Sequence, residues 1–107
     1  MLKKAKIKQN FKLANYPIIP KVYSEGVMEV KRMYVKPESR GKGVASDILN
    51  ALESWAKTLG YHETILETLK IKESVIALYA RNGYSVMPNN YGQYAGVDSS
   101  VCMNKKL

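Results

Sequence analysis

The chain has 107 residues, 46% of them apolar, a formal net charge of +8 and one cysteine. This suffices for one compact domain over 1–107 and is too apolar for a disordered chain. No apolar run approaches the ~20 residues of a membrane span, the stretch from Met1 to Lys6 lacks a signal-peptide core, and Cys102 alone excludes an internal disulfide and fits a reducing cytoplasm.

The excess charge is confined to the first part of the chain. Residues 1–42 hold eleven Lys/Arg against three Asp/Glu, whereas residues 43–107 hold six of each. Such a surface attracts nucleic acid, an acidic membrane or a phosphate-rich cofactor. Lys3, Lys4, Lys6 and Lys8 equally suit the solvated face of an edge strand, where lysines discourage further pairing. The edge-strand reading is preferred, because charge alone speaks for nucleic acid: no aromatic and basic residues interleave as on an RNA platform.

Residues 1–24 carry little pattern, and Asn15–Pro20, broken by Pro17 and Pro20, reads as a loop or extended arm. Glu25 and Gly26 mark a turn. Val27 to Lys36 then reads as a strand rich in Val, Met and Tyr, with Glu29, Lys31, Met33 and Val35 on one face. Pro37 ends it. Arg40, Gly41, Lys42 and Gly43 follow, and a helix begins at Val44.

A strand, glycine turn and helix in that order present bare N–H groups at the positive end of a helix dipole, which suits a phosphate. Gly43, without a Cβ, lets a ligand come close, and Arg40 and Lys42 add two cations. Glycines and basic residues also fill turns with no ligand. Two phosphate motifs are excluded by spacing: a P-loop needs Lys and Ser or Thr after its last glycine, where Val44 stands, and a dinucleotide fingerprint needs a third glycine, where Ser46 stands.

From Val44 to Leu59, the residues Val44, Ile48, Leu49, Leu52, Trp55, Ala56 and Leu59 recur at helical spacing, with Asp47, Asn50, Glu53 and Lys57 largely outside the stripe. Gly60 is the stop. Thr64–Leu69 reads as a strand parallel to the first, since the crossover is of helical length. Residues 73–82 form a second helix with Val75, Ile76, Leu78 and Tyr79 as apolar members and Gly83 as stop. Tyr84–Met87 is a strand, Pro88–Ser99 a loop of turn formers and tyrosines, and Ser100–Asn104 a last strand antiparallel to 84–87.

Arg40-Gly-Lys-Gly43-Val-Ala45 resembles the acetyl-CoA signature of the GNAT N-acetyltransferases: Arg or Gln, two residues, Gly, one residue, then Gly or Ala. Leu78-Tyr79, followed by Gly83-Tyr84, is similar to the family's second signature. The resemblance covers roughly residues 27–107, and from Glu29 through Tyr91–Gly96 it resembles small bacterial members. It implies an α/β (α+β) mixed sheet with central parallel, splayed strands, two main helices and C-terminal antiparallel strands.

The resemblance also implies a chemistry: transfer of acetyl from acetyl-CoA to a primary amine by direct attack, without a nucleophilic cysteine and without a metal. Acetyl-CoA would lie where strands 27–36 and 64–69 splay apart. Its pyrophosphate would sit on the 41–45 turn, that is Gly41, Lys42, Gly43, Val44 and Ala45, beside Arg40. The strand Met33-Tyr34-Val35 would flank the cofactor, with backbone groups of Met33 and Val35 on the pantetheine arm and the thioester carbonyl, where a fixed N–H stabilises an oxyanion. Tyr79 holds the family's general-acid position. A phenol of pKa ~10 stays protonated at neutral pH, and a thiolate of pKa ~8.5 draws on it if the site assists. Glu29, six residues before Val35, matches the catalytic Glu of some histone acetyltransferases in the superfamily. Glu67 on the neighbouring strand is the competing base, or attracts a cationic acceptor. His62 is given no role.

Two departures stand out. Family members often carry Asn, contacting the pantetheine, where this chain has Lys72. About 26 residues precede the first strand, fewer than the elements that usually build the acceptor site. The expectations that follow are a shortened member, with a non-catalytic CoA-binding domain as alternative, an exposed edge on the 27–36 strand, and a homodimer in which residues 1–24 contribute to the partner's sheet or acceptor wall.

Overall fold

The computed structural model describes residues 11–13, 16–31 and 43–107. Its elements are β1 (Phe11–Leu13), β2 (Tyr16–Ser24), β3 (Val27–Lys31), α1 (Val44–Thr58), β4 (Glu63–Leu69), α2 (Glu73–Arg81), β5 (Ser85–Val86) and β6 (Ser100–Lys106), with a 3-10 turn at Gly92–Tyr94. The strands form one mixed sheet in the order β1-β2-β3-β4-β6-β5. β3 and β4 run parallel, as the helical crossover requires, and the other neighbouring pairs run antiparallel. Among the described residues no helix is long and apolar enough to cross a membrane.

The sheet's two faces follow from strand alternation. Met28, Val30, Leu66 and Met103 point to one face and pack with Ile48, Leu49, Leu52, Ala56 and Leu59 of α1 and Tyr79 of α2. Full burial of one such aliphatic side chain is worth roughly 1.5–3 kcal/mol. Ile65 and Cys102 point to the other face, where Tyr91 of the 88–99 loop covers them. Asn90 closes that loop, its side-chain N–H groups reaching the carbonyls of Val97 and Ser100 at 3.1 Å each. Gly60 and Gly83, beyond the two helix ends, have φ of 96° and 94°, as the stop assignments require.

Three expectations need correction. Tyr16–Pro20 is neither loop nor free arm: it is the first half of β2, paired with β1 and then with β3. Pro17 and Pro20 are an odd number of residues apart, so their missing donors fall on opposite edges of the strand and neither edge loses two. The edge of β3 is therefore not open, since β2 covers it from Met28 to Lys31. Glu53, placed outside the α1 stripe, is buried. Lysines 3, 4, 6 and 8 and Asn15 lie outside the described residues.

Candidate active site

The parallel ladder between β3 and β4 runs from Val27 opposite Glu63 to Glu29 opposite Ile65. Beyond that rung β3 stays on β2, with Lys31 opposite Ile19, and β4 stays on β6 as far as Leu69 opposite Ser100. Each strand follows its outer neighbour, and the two part. The gap is a cleft of about 450 Å³ lined by residues of β3, β4 and α2 together with Tyr94. It is the splay that the resemblance implied.

Because the cleft opens through the sheet, its walls present both faces. Val30, Thr68, Val75 and Tyr79 line the helix side, and Glu29, Glu67 and Tyr94 the other. Glu29 is only 5% exposed. Tyr91 donates its hydroxyl to Glu29 Oε2 at 2.7 Å. The Tyr91 ring is braced edge-on by Tyr23 and Tyr94, with centroids 5.1 and 5.5 Å away. An irregularity between Val22 and Ser24 in β2 leaves Tyr23 without a register partner and turns it toward this cluster. Burial, and then the Glu29 carboxylate, push the Tyr91 phenol far up, so it remains a donor. Glu67 is held similarly: Ser100 donates its Oγ–H to Glu67 Oε2 at 2.7 Å.

Tyr79 is 7% exposed, and its hydroxyl has no hydrogen-bond partner among the described residues although the residue lines the cleft. Its ring lies 5.6 Å from that of Tyr84. Tyr84 is itself fixed: it donates to Glu53 Oε2 at 3.0 Å, and its single proton being so used, Thr64 Oγ1 at 2.8 Å must donate to it. Lys105 completes the network by pairing with Glu53 Oε1 at 2.7 Å. Burial raises the pKa of Tyr79 above the ordinary 10.0. It is thus protonated at neutral pH but a weaker acid than the sequence argument assumed.

At the head of α1, Gly43 has φ 76°, which only glycine adopts without strain. A Cβ there would meet nothing within 4 Å among the described residues. Glycine is needed there for the turn's left-handed conformation. Asn82 ties this turn to the α2 end, donating to Ser46 Oγ at 3.0 Å. Lys72 occupies the N-cap of α2 without a side-chain cap bond and lines the cleft.

The structure therefore brings Glu29, Glu67, Lys72 and Tyr79 to one cleft, with Gly43, Val44 and Ala45 at the start of α1. Met33, Tyr34, Val35, Arg40, Gly41 and Lys42 lie outside the described residues. His62 is exposed and sits over Gly26 in the β2–β3 turn. Sequence reasoning missed Tyr91 and Ser100, which orient the two carboxylates. The available signal was an aromatic pair, Tyr91 and Tyr94, three residues apart around a glycine in an otherwise turn-forming loop.

Residues 9–84 match the acetyltransferase (GNAT) family. The chain is 34% identical over 82 residues to an IAA acetyltransferase of Azospirillum brasilense, covering 77% of this chain and 53% of that protein. It is 32% identical over 91 residues to the uncharacterized N-acetyltransferase YjgM of Escherichia coli, covering 84% and 54%. The chain thus spans about half the length of the curated relatives it matches. A Klebsiella pneumoniae structure assigned to the acyl-CoA N-acyltransferases superposes with a TM-score of 0.80 at 35% identity, covering 86% of this chain and 63% of that one. PaiA N-acetyltransferase from Thermoplasma acidophilum, solved in complex with coenzyme A, shares the fold with a TM-score of 0.74 at 23% identity, covering 92% and 58%. With both signatures, the splayed parallel pair and the family match over most of its length, the chain belongs to the GNAT acetyltransferase family.

Proposed function

We propose that the chain carries an acetyl-CoA-dependent N-acetyltransferase site that acts on a primary amine by direct attack. The observation that supports this best is the cleft itself, where the Glu29 carboxylate lines one face and the Tyr79 hydroxyl the other. The residues fit the co-substrate: a turn of backbone N–H groups at Gly43–Ala45 suits a pyrophosphate, and Val30 and Val75 offer an apolar wall for a pantetheine arm. Acetyl-CoA supplies the activated thioester. Met33 and Val35 are assigned to its arm and carbonyl by the resemblance.

Glu29 takes the proton of the incoming ammonium, Tyr91 holding one carboxylate oxygen and leaving Oε1 for the amine. Tyr79 keeps its proton and directs it at the position of the sulfur. With a phenol raised above 10 facing a thiol of ~8.5, full transfer is uphill, so Tyr79 acts by hydrogen bonding the developing thiolate before the proton moves. The amine approaches from the Glu29 face and the thiol departs on the helix face.

Titration calorimetry with acetyl-CoA, followed by thiol release over an amine panel, tests this. Binding, amine-dependent release, and slowing by Tyr79→Phe are expected. Binding without release on any amine would make the domain a non-catalytic CoA-binding unit, and no binding would overturn the reading. A cytoplasmic setting belongs to the same proposal, supported by the unpaired, buried Cys102. A homodimer draws no support from β3, whose edge β2 covers. Sedimentation equilibrium of the intact chain gives the assembly directly.

A further inference from the structure

The stop of α2 is made by backbone groups alone. Gly83 N–H donates to the Ala80 carbonyl at 3.1 Å and Tyr84 N–H to the Tyr79 carbonyl at 3.0 Å, with Gly83 at φ 94°. This paired closure, with the Tyr79 and Tyr84 rings 5.6 Å apart across it, ends a helix without help from a side chain. The Asn82 side chain is therefore surplus to the stop. Its Nδ2 group nevertheless makes two hydrogen bonds. One goes to the Leu78 carbonyl at 2.8 Å, the other to Ser46 Oγ at 3.0 Å, 36 residues away in the chain.

The second bond crosses from the end of α2 to the first turn of α1. Among the described residues it is the only hydrogen bond between that turn and α2 or its cap. An amide N–H can only donate, so Ser46 Oγ accepts and keeps its own proton to give. The first bond inside α1 runs from Asp47 N–H to the Gly43 carbonyl, so the amides of Val44, Ala45 and Ser46 have no acceptor within the helix. At the other end of the link, Leu78 is the residue before Tyr79. One side-chain amide thus joins the turn that carries free N–H groups to the helical turn that carries Tyr79.

We infer that Asn82 is a positioning residue for the co-substrate: it holds the head of α1 and the Tyr79 end of α2 at a fixed separation, so that the pyrophosphate and the thioester sulfur of one acetyl-CoA molecule are met together. This rests on the acetyltransferase reading, which puts those two groups at Gly43–Ala45 and at Tyr79. Asn82 acts through Ser46 and through the last turn of α2, not by contact with the ligand. The two helices also share one apolar core, but apolar packing is not directional, whereas a hydrogen bond fixes both distance and angle. A ligand that spans both elements is gripped at both ends only where their spacing is set, and a misplacement of about 1 Å costs on the order of 10²-fold in rate.

Titration calorimetry with coenzyme A on the wild type, Asn82→Ala, Ser46→Ala and the double variant tests this. A loss of folded protein lowers the stoichiometry and leaves the affinity of the folded molecules readable. Each single variant is expected to weaken coenzyme A binding about 3–10-fold, the scale of one hydrogen bond. The double variant is expected to bind no worse than the poorer single variant, because both changes remove the same contact. Ser46→Thr keeps the hydroxyl and is expected to restore the affinity that Ser46→Ala loses. Should Asn82→Ala fail to fold, Ser46→Ala and Ser46→Thr carry the test. Unchanged affinity in Asn82→Ala or in Ser46→Ala overturns the inference and makes Asn82 a tie within the fold only. So does a double variant whose loss is the product of the two single losses, or a Ser46→Thr protein as weak as Ser46→Ala. The expected affinities without acetylation of any amine in a panel leave this inference standing and remove the catalytic reading. No binding of coenzyme A by the wild type removes both.

Discussion

The two ends of β4 use glutamate in opposite ways. At its start, Glu63 accepts from Asn104 at 2.8 Å and from Lys106 at 3.0 Å, and behind it on the helix face Glu53 meets Lys105 and Tyr84. At its far end, Glu67 and the neighbouring Glu29 meet hydroxyls and open space. The closed end is an ion-paired clasp between β4, β6 and α1. At the open end the two carboxylates make no ion pair among the described residues. The same residue type is thus ion-paired at one end and, among the described residues, held only by hydroxyls at the other.

The sharpest way to break this comparison is Glu29→Gln. We expect a 10²–10⁴-fold loss in kcat, the usual scale for a removed general base, with little change in Tm. A large fall in Tm with turnover per folded molecule intact would place Glu29 with the structural pair instead. Lys105→Met makes the converse case. It leaves Glu53, whose side chain is 9% exposed, without its cation. Removing one partner of a largely buried pair is expected to cost about 2–3 kcal/mol, reduced from the fully buried case by partial exposure of the lysine. Thermal unfolding should show this as a Tm lowered by roughly 10–20 °C.

Tyr91→Phe probes the hydroxyl that holds Glu29. It keeps the ring and its contacts with Tyr23 and Tyr94 but removes the donor to Glu29. A loss of about 1–2 kcal/mol is expected in urea unfolding, the scale of an orphaned buried acceptor, together with a lower kcat. A change in stability alone would reduce Tyr91 to a packing residue.

The smallest effect concerns pH. Burial pushes the Glu63 carboxyl up, but the Asn104 and Lys106 hydrogen bonds and the Lys106 charge outweigh it, so its pKa lies below the ordinary 4.5. A depressed carboxylate contributes fully above its unfolded pKa, and that contribution is lost as pH falls through the folded value. Stability should therefore decline below about pH 4.5, and Glu63→Gln should flatten that decline. An unchanged acid limb in the variant would show that other carboxylates govern it.

Much of the site was legible because its signals are local. Gly43 before a periodic helix marks a turn with exposed amides, and Tyr79 followed by Gly83 marks where α2 stops beside a strand. The roles of Glu29 and Glu67 were only half legible: their face on each strand follows from alternation, but not which of them is buried or what holds it. Tyr91 is 62 residues from Glu29, and Ser100 is 33 from Glu67. No period or spacing connects residues at such distances.

The sequence by itself determined the order of strand, glycine turn, helix, strand, helix and two strands, because periodicity, glycines and prolines act within a few residues of where they stand. Tertiary structure decided the rest. It turned Tyr16–Ser24 into a full strand despite two prolines, since pairing on both sides outweighs two missing donors placed on opposite edges. It buried Glu53 on a helix face that read as solvated, because Lys105 arrives from 52 residues away to neutralise it. It also left Glu29 and Glu67 without an ion pair among the described residues, and it parted β3 from β4 after the third rung, at Glu29 and Ile65. Whether a carboxylate is a clasp or a site depends on which charge the fold brings to it, and that is a property of register, not of local sequence.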